Sequence, residues 1–156
     1  MSLAELFSCS DDDVRLMTSN LKQVADGLGL PFGNRKMTYN SRLAQELGKW
    51  AESKGKGDEF HNAVFHAYLV AGKNIGDMPV LTEIIESVEL DSRQAEKIIT
   101  DRTFKPAVDA DWNRSLKLKI KAVPTFLLNH DVLVGAQNYE ALQTLLLSNH
   151  VPRRSY

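Results

Sequence analysis

The sequence is poor in cysteine and in long apolar runs. A single cysteine, Cys9, excludes an internal disulfide and any Cys-x-x-Cys redox or zinc motif within the 156 residues. Glu5 and the acidic residues at 11–13 stand where a signal peptide requires a basic start and an apolar centre. We therefore expect a soluble, cytoplasmic protein that has no membrane partner.

Neither sign of charge predominates in the chain. It has 19 lysines and arginines against 20 aspartates and glutamates, so its charge gives no argument for binding nucleic acid. A chain of this length is one domain by the usual relation of length to domain number. Any partner must therefore be inferred from a local site.

Apolar residues recur at helical spacing and predict a series of short helices. Capping residues mark most of their starts, namely Ser10 (with Asp13 three residues later), Asn40, Asp77 and Asp91, and one further helix starts near Asp58. A longer helix is predicted over 103–119, and Asn138 begins a closing helix. Trp50 and Trp112 lie at helical positions, so we interpret both as core residues.

The most distinct β pattern lies near the C-terminal end. Residues 125–128 are apolar and partly β-branched, 129–131 are turn residues, and Val132 to Val134 runs back until Gly135. This pattern predicts a β-hairpin buried on both faces. Pro124 has no N–H for a sheet, so it fits at the entry to the first strand.

Few residues suggest chemistry by themselves. Cys9 precedes a predicted helix start, where a thiolate is stabilised, but without a partner cysteine or histidine nearby a structural thiol is the simpler interpretation. His61 and His66 are five residues apart and do not share a helix face, so we expect no bound metal or cofactor. Lys117, Lys119 and Lys121 are most simply a solvated face.

Several short motifs together resemble a known family. They are Gly29-Leu30-Pro31-Phe32, Asn40-Ser41 with Ala44 and Leu47, Phe65-His66-Ala67-Tyr68, Asn74-Ile75-Gly76-Asp77 with Val80-Leu81, and Val123-Pro124-Thr125-Phe126. Their order, followed by a hairpin, Gly135-Ala136-Gln137 and a closing helix, resembles the DsbA-like branch of the thioredoxin superfamily. Within that branch the sequence resembles FrnE-type oxidoreductases and their relatives, the 2-hydroxychromene-2-carboxylate isomerases and kappa-class glutathione transferases. The resemblance covers about Leu6 to Leu146.

The resemblance implies a fold and a site. The fold is mainly α with a small β-hairpin, the C-terminal part of a DsbA-like thioredoxin α/β fold with its helical insert. Pro124 is then the family's cis-proline, and the backbone of Val123 is the contact for an extended peptide or thiol ligand. Thr125 completes the expected substrate-binding set of Val123, Pro124 and Thr125.

The chain also departs from the family pattern. The family's first strand, its Cys-x-x-Cys or catalytic serine, and its second strand do not precede Leu6, so no catalytic residue is assigned. We expect residues 1–156 to be a single truncated DsbA-like domain, with a helical region at 11–120 and the hairpin and closing helix at 121–150. Gln45 replaces the histidine of the family's Asn-Ser/Thr-x-x-Ala motif, which weakens the transfer of an isomerase or glutathione role.

The sequence leaves three functions open. The first is a DsbA-like thiol-disulfide oxidoreductase fragment or homologue that acts on protein thiols or disulfides, with its Cys-x-x-Cys outside this chain. The second is a non-enzymatic module that binds an extended peptide or serves as a scaffold. The third is a glutathione-dependent isomerase or transferase relative that uses serine.

The hairpin also predicts an assembly. In the family the strand that starts at Thr125 lies beside the first strand of the domain, so here its outer edge lacks a partner. An exposed apolar strand edge is a template for pairing with another chain. We therefore expect a homodimer through the hairpin edge, because Met1 to Phe7 is too short to replace two strands.

Overall fold

Helices account for most of the structure. The computed structural model describes residues 1–154. In chain order its elements are α1 (Leu3–Phe7), α2 (Asp11–Gly27), α3 (Arg42–Ser53), α4 (Gly57–Phe65), a π-helical turn (His66–Val70), α5 (Met78–Ser87), α6 (Ser92–Asp101), α7 (Lys105–Lys117), β1 (Thr125–Leu128), β2 (Asp131–Val134) and α8 (Tyr139–Ser148). A mainly α fold with a two-stranded hairpin is thereby confirmed. Nowhere in the described chain does a helix have the length and apolar character needed to cross a membrane.

The described chain divides into two compact units. The first is Met1–Asp109, which contains α1 to α6, the π-helical turn and the start of α7. The second begins at Ala110 and contains the rest of α7, the hairpin and α8.

The hydrophobic core of the first unit lies among α3, α4, α5 and α6. Its buried side chains are Ala44, Leu47, Trp50, Ala51, Phe60, Ala67, Ile75, Leu81, Ile84, Ile85, Val88 and Ala95. On α3 they recur at intervals of three and four residues, which places them on one face. Fully burying a side chain such as Leu47 or Phe60 contributes about 1.5–3 kcal/mol, so this core accounts for the folding of the unit.

Serine caps begin the first two helices. Ser10 accepts a hydrogen bond from the Asp13 amide at its Oγ and donates its own amide to the Asp13 carboxylate, which confirms the predicted start of α2. Hydrogen bonds to Ser10 lower the pKa of Asp13 below its usual value, and the bond to the Ser10 side chain has a larger effect than the bond to its amide. Ser2 and Glu5 form the same arrangement and begin α1, a short helix for which no start was predicted.

Two helical details refine the prediction. The residue that directly flanks α3 is Ser41, whose side chain forms no capping hydrogen bond; the cap comes from Asn40, as predicted, because its Oδ1 accepts a hydrogen bond from the Arg42 amide at 2.9 Å. After Phe65 the helix widens into the π-helical turn, where the Ala71 amide donates to the His66 carbonyl oxygen at 3.0 Å.

The loop before α3 is fixed on that π-helical turn. The Gly33 amide donates to the Leu69 carbonyl oxygen at 3.0 Å, and a Cβ at position 33 would lie 1.9 Å from the Val70 carbonyl oxygen. Only glycine allows so close an approach of the two backbones.

A network of charged side chains ties α3 to the end of α6 and the start of α7. Glu46 is completely buried, and its carboxylate accepts hydrogen bonds from Arg42 at 2.9 Å and from Arg102 at 2.6 and 2.9 Å. Arg42 also donates to Asp109, which accepts a second hydrogen bond from Lys105 at 2.8 Å. The hydrogen bonds from Arg102 and then Arg42 outweigh burial and hold the pKa of Glu46 below its usual value.

The hairpin forms at the predicted residues, but its side chains are less buried than predicted. β1 and β2 pair antiparallel, with Thr125 opposite Val134 and Leu127 opposite Val132. Leu127, Val132 and Val134 are exposed, so the prediction of a hairpin buried on both faces was wrong. From 110 to 154 no described residue is buried, because this unit supplies no layer that covers its two strands.

The second unit is held together partly by amides. The Asn149 side chain, just after α8, donates to the Asp131 carboxylate at 2.8 Å, and its Oδ1 accepts from the Asn129 side chain at 2.8 Å. At the other end of α8, Asn138 caps the helix as predicted by accepting from the Ala141 amide.

Candidate functional site

The candidate site is the loop that enters β1. The Val123–Pro124 peptide bond is cis, which confirms the isomer that the resemblance implied. Two hydrogen bonds hold the loop on either side of this bond. The Thr125 Oγ1 donates to the Ala122 carbonyl oxygen at 2.6 Å, and the Gly135 amide donates to the Pro124 carbonyl oxygen at 2.8 Å.

Val123 differs from both of its neighbours. No hydrogen bond among residues 1–154 uses its amide or its carbonyl oxygen. Its side chain is 88% exposed, so water reaches the residue from the open side of the loop. Because backbone donors and acceptors normally find a partner, this residue offers one of each to an incoming chain.

A groove lies on one side of the loop. It has a volume of about 430 Å³ and is lined by Trp112, Ser115 and Leu116 of α7 and by residues 120–123. Trp112 is 55% exposed, so the prediction that it is a core residue was wrong. Its helical spacing indicated an inward face of α7, but more than half of the side chain is accessible to solvent.

A second groove lies against the hairpin. It has a volume of about 360 Å³, and its walls are residues 118–122 together with Thr125, Leu127, Val132 and Val134. The alternating positions on β1 and β2 project to the same face of the sheet, as the register of the hairpin requires. The two grooves share Ile120, Lys121 and Ala122.

The structure brings the predicted site residues together but distinguishes their roles. Val123 presents free backbone groups, and Pro124 sets the turn of the loop. The Thr125 hydroxyl is engaged by the Ala122 carbonyl oxygen, so this side chain holds the loop rather than facing a ligand.

Cys9 lies in the first unit, between α1 and α2. It is partly buried, and its amide donates to the Ala4 carbonyl oxygen at 3.1 Å. Within residues 1–154 the His, Cys, Asp and Glu side chains form no group of three or more with the spacing of a metal site.

A cavity in the first unit was not predicted. It has a volume of about 300 Å³ and is lined by nine residues that include Phe60, Gln45 and Tyr68. Gln45, the residue that replaces the family's histidine, donates from its side chain to the Ser41 Oγ at 2.9 Å. The π-helical turn that forms part of the wall has no local sequence signal, because apolar residues at 60, 64 and 67 also fit an α-helix.

Comparison with known proteins supports the resemblance found in the sequence. The family model of the DSBA-like thioredoxin domain matches residues 3–147. The uncharacterized protein YwbO of Bacillus subtilis (strain 168) is 28% identical over 128 residues, which are 80% of this chain and 64% of YwbO.

Two solved structures share the fold. A probable DsbA oxidoreductase from Streptomyces coelicolor superimposes with a TM-score of 0.81 at 21% identity, over 99% of this chain and 68% of that one. A 2-hydroxychromene-2-carboxylate isomerase superimposes with a TM-score of 0.71 at 18% identity, over 86% of this chain and 64% of that one. This chain thus spans about two thirds of the length of the proteins that it matches.

Proposed function

Since the chain belongs to the DSBA-like thioredoxin domain family, we propose that its loop at Val123 aligns protein thiols or disulfides for exchange. The observation that carries the proposal is the unpaired amide and carbonyl oxygen of Val123 beside a cis-proline. A peptide in extended conformation forms hydrogen bonds to such groups as an added strand does.

The redox chemistry requires a Cys-x-x-Cys dithiol outside these 156 residues. One thiolate of that pair attacks a sulfur of the substrate disulfide, forms a mixed disulfide and releases the other sulfur as a thiolate. The second cysteine of the pair then displaces the substrate, so the substrate disulfide is reduced and the pair is oxidised. This chain contributes the docking of the substrate backbone.

The 156-residue chain alone is expected to be inactive as a disulfide reductase. Cys9 is its only cysteine, so it has no second thiol to resolve a mixed disulfide. The measurement is turbidity during insulin reduction by dithiothreitol, with the Cys9→Ser variant as control. A rate well above the uncatalysed one in both proteins would contradict the assignment of the reacting cysteines to another segment.

Docking through the backbone of Val123 predicts different effects of two substitutions at that position. Val123→Ala removes only exposed side-chain atoms, so binding of an S-methylated insulin B chain should change less than about twofold. Val123→Pro removes the amide, and the loss of one hydrogen bond of about 1 kcal/mol together with the altered loop should weaken binding at least fivefold. Isothermal titration calorimetry measures both, and circular dichroism checks that the variants fold.

Equal binding by the two variants would show that the Val123 amide is not the contact. Val123→Gly provides the matched control for loop geometry, because it keeps the amide while removing the constraint of a side chain. Weak binding by both Val123→Gly and Val123→Pro would assign the effect to loop order instead.

A non-enzymatic peptide-binding module is the second candidate function. It is favoured by the same free backbone together with the single cysteine. The two candidates differ on one measurement. A separately added Cys-x-x-Cys protein segment of the family restores insulin reduction under the first proposal and has no effect under the second.

A further inference from the structure

Two exposed lysines, Lys119 and Lys121, lie between the end of α7 and the loop. Arg114 and Lys117 lie in the last turn of α7, where positive charge stabilises the carbonyl end of the helix. Lys119 and Lys121 come after that helix has ended, and both are exposed. None of the ion pairs found among residues 1–154 includes either of them.

Acidic residues are absent from the surrounding sequence. Between Asp111 and Asp131 the chain has four cations and no carboxylate. The Asp131 carboxylate accepts a hydrogen bond from Asn149 at 2.8 Å, at the turn of the hairpin. The local charge is therefore positive although the whole chain is nearly neutral.

The lysines belong to the walls of the two grooves. Lys121 lines both of them, and Lys119 lines the groove against the hairpin. The rest of the lining is mostly apolar, with Trp112, Leu116 and Ile120 on one side and Leu127, Val132 and Val134 on the other. Each groove thus combines a mostly apolar surface with at least one exposed lysine.

We propose that these grooves select extended peptides in which a carboxylate side chain lies two positions from an apolar one. The inference rests on the proposed docking at Val123. Lys121 and Val123 line the same groove and are separated by at most about 7 Å of backbone, a distance close to that between side chains two apart on one face of an extended peptide. An apolar peptide residue opposite Val123 therefore places an acidic neighbour at Lys121.

The size of the effect follows from the exposure of the lysines. An ion pair at a solvated surface contributes little, so the acidic peptide should bind about fivefold more tightly than its neutral analogue at low salt. Most of this preference should disappear at 0.5 M salt, roughly where the screening length falls to a few Å. Binding through the apolar surface and the Val123 backbone should persist.

The experiment compares three peptides on the full chain by isothermal titration calorimetry. They are acetyl-Glu-Ser-Leu-Ser-Glu-amide and its analogues with glutamine or lysine in place of both glutamates. We expect the order glutamate, glutamine, lysine in wild type. Lys121→Gln should bring the glutamate and glutamine peptides within about twofold, whereas Lys97→Gln, an exposed lysine on α6, should leave the preference unchanged.

The possible results separate this inference from the proposed function. Equal binding of the three peptides, lost in Val123→Pro, would overturn the acidic preference and leave the docking at Val123 standing. Binding of none of them would overturn both. A ten-residue oligothymidylate that binds more tightly than the glutamate peptide and depends on Lys121 would show a general anion surface, and would also overturn the inference.

Discussion

Replacing Glu46 by alanine is expected to lower the free energy of unfolding of the first unit by about 3 kcal/mol. Removing one partner of a buried ion pair costs about 3–5 kcal/mol, because it leaves the opposite charge without compensation. The lower end applies here, since Arg102 is partly exposed and reaches water when Glu46 is absent. The loss also separates α3 from Arg102 at the end of α6.

Urea denaturation followed by tryptophan fluorescence measures this change. Trp50 is buried in the core of the first unit, whereas Trp112 is exposed, so a Trp112→Phe background makes the signal report the first unit. The matched control is Glu83→Gln, which removes a carboxylate from an exposed ion pair with Lys73 and should cost less than about 0.5 kcal/mol. Equal midpoints for Glu46→Ala and wild type would contradict the importance of the network.

The same network predicts the direction of the pH dependence. The pKa of Glu46 is lowered by Arg102 and Arg42, and that of Asp109 by Lys105 and Arg42. A carboxylate with a lowered folded-state pKa contributes stability above its unfolded pKa, about 4, and loses it as the pH falls through the folded value. Wild type should therefore be destabilised below about pH 4, and Glu46→Gln should lose less stability over that range.

The sequence could not reveal this network from local pattern. Arg42 and Glu46 are four residues apart on a helix, a spacing typical of solvated ion pairs. The other partner of the Glu46 carboxylate is Arg102, which is 56 residues away from Glu46 in the chain. Long-range pairs of this kind leave no signal at helical spacing.

Where local rules decide the structure, the predictions agree with it. Ser10, Asp91 and Asn138 cap their helices because each side chain is followed by amides that need an acceptor. The hairpin follows from a strand, turn and strand pattern within ten residues. Its position and the cis peptide bond at Pro124 both agree with the family motif.

Burial in the second unit could not be predicted in the same way. Apolar residues in a strand indicate that other residues pack against them, but not whether those residues belong to the same chain or to another one. The side chains of Val132 and Val134 are exposed for this reason, and so is that of Trp112. The site residue Val123 was inferred from the family motif, whereas the free state of its backbone groups required the structure.

The lack of buried residues from 110 to 154 leads to the proposal of a dimer. Ordering a residue costs about 1–2 kcal/mol of conformational entropy, and this unit buries little surface to offset that cost. β1 is paired on one edge only, by β2, and two copies that join at the free edge would satisfy its remaining amides and carbonyls. Burying a few hundred Å² of apolar surface at about 25 cal/mol per Å² contributes several kcal/mol before the cost of association.

Leu127→Lys is expected to convert the proposed dimer into a monomer. Leu127 is 41% exposed in one chain, so lysine there should have little effect on a monomer. In a dimer that covers the strand, the same change places a charge against apolar surface and should raise the dissociation constant at least a hundredfold. Sedimentation velocity over a range of concentrations distinguishes a monomer, at the chain mass of 17.5 kDa, from a dimer at twice that mass.

Leu16→Lys is the matched control, because Leu16 is 63% exposed on α2 and lies far from the hairpin in sequence. If the hairpin is the interface, the Leu16→Lys variant should sediment with the same mass as wild type. Hydrogen exchange gives a second measurement, since amides of residues 125–128 that pair across an interface exchange slowly in wild type and faster in Leu127→Lys. A monomeric wild type with rapid exchange at these amides would show that the strand edge has no partner copy.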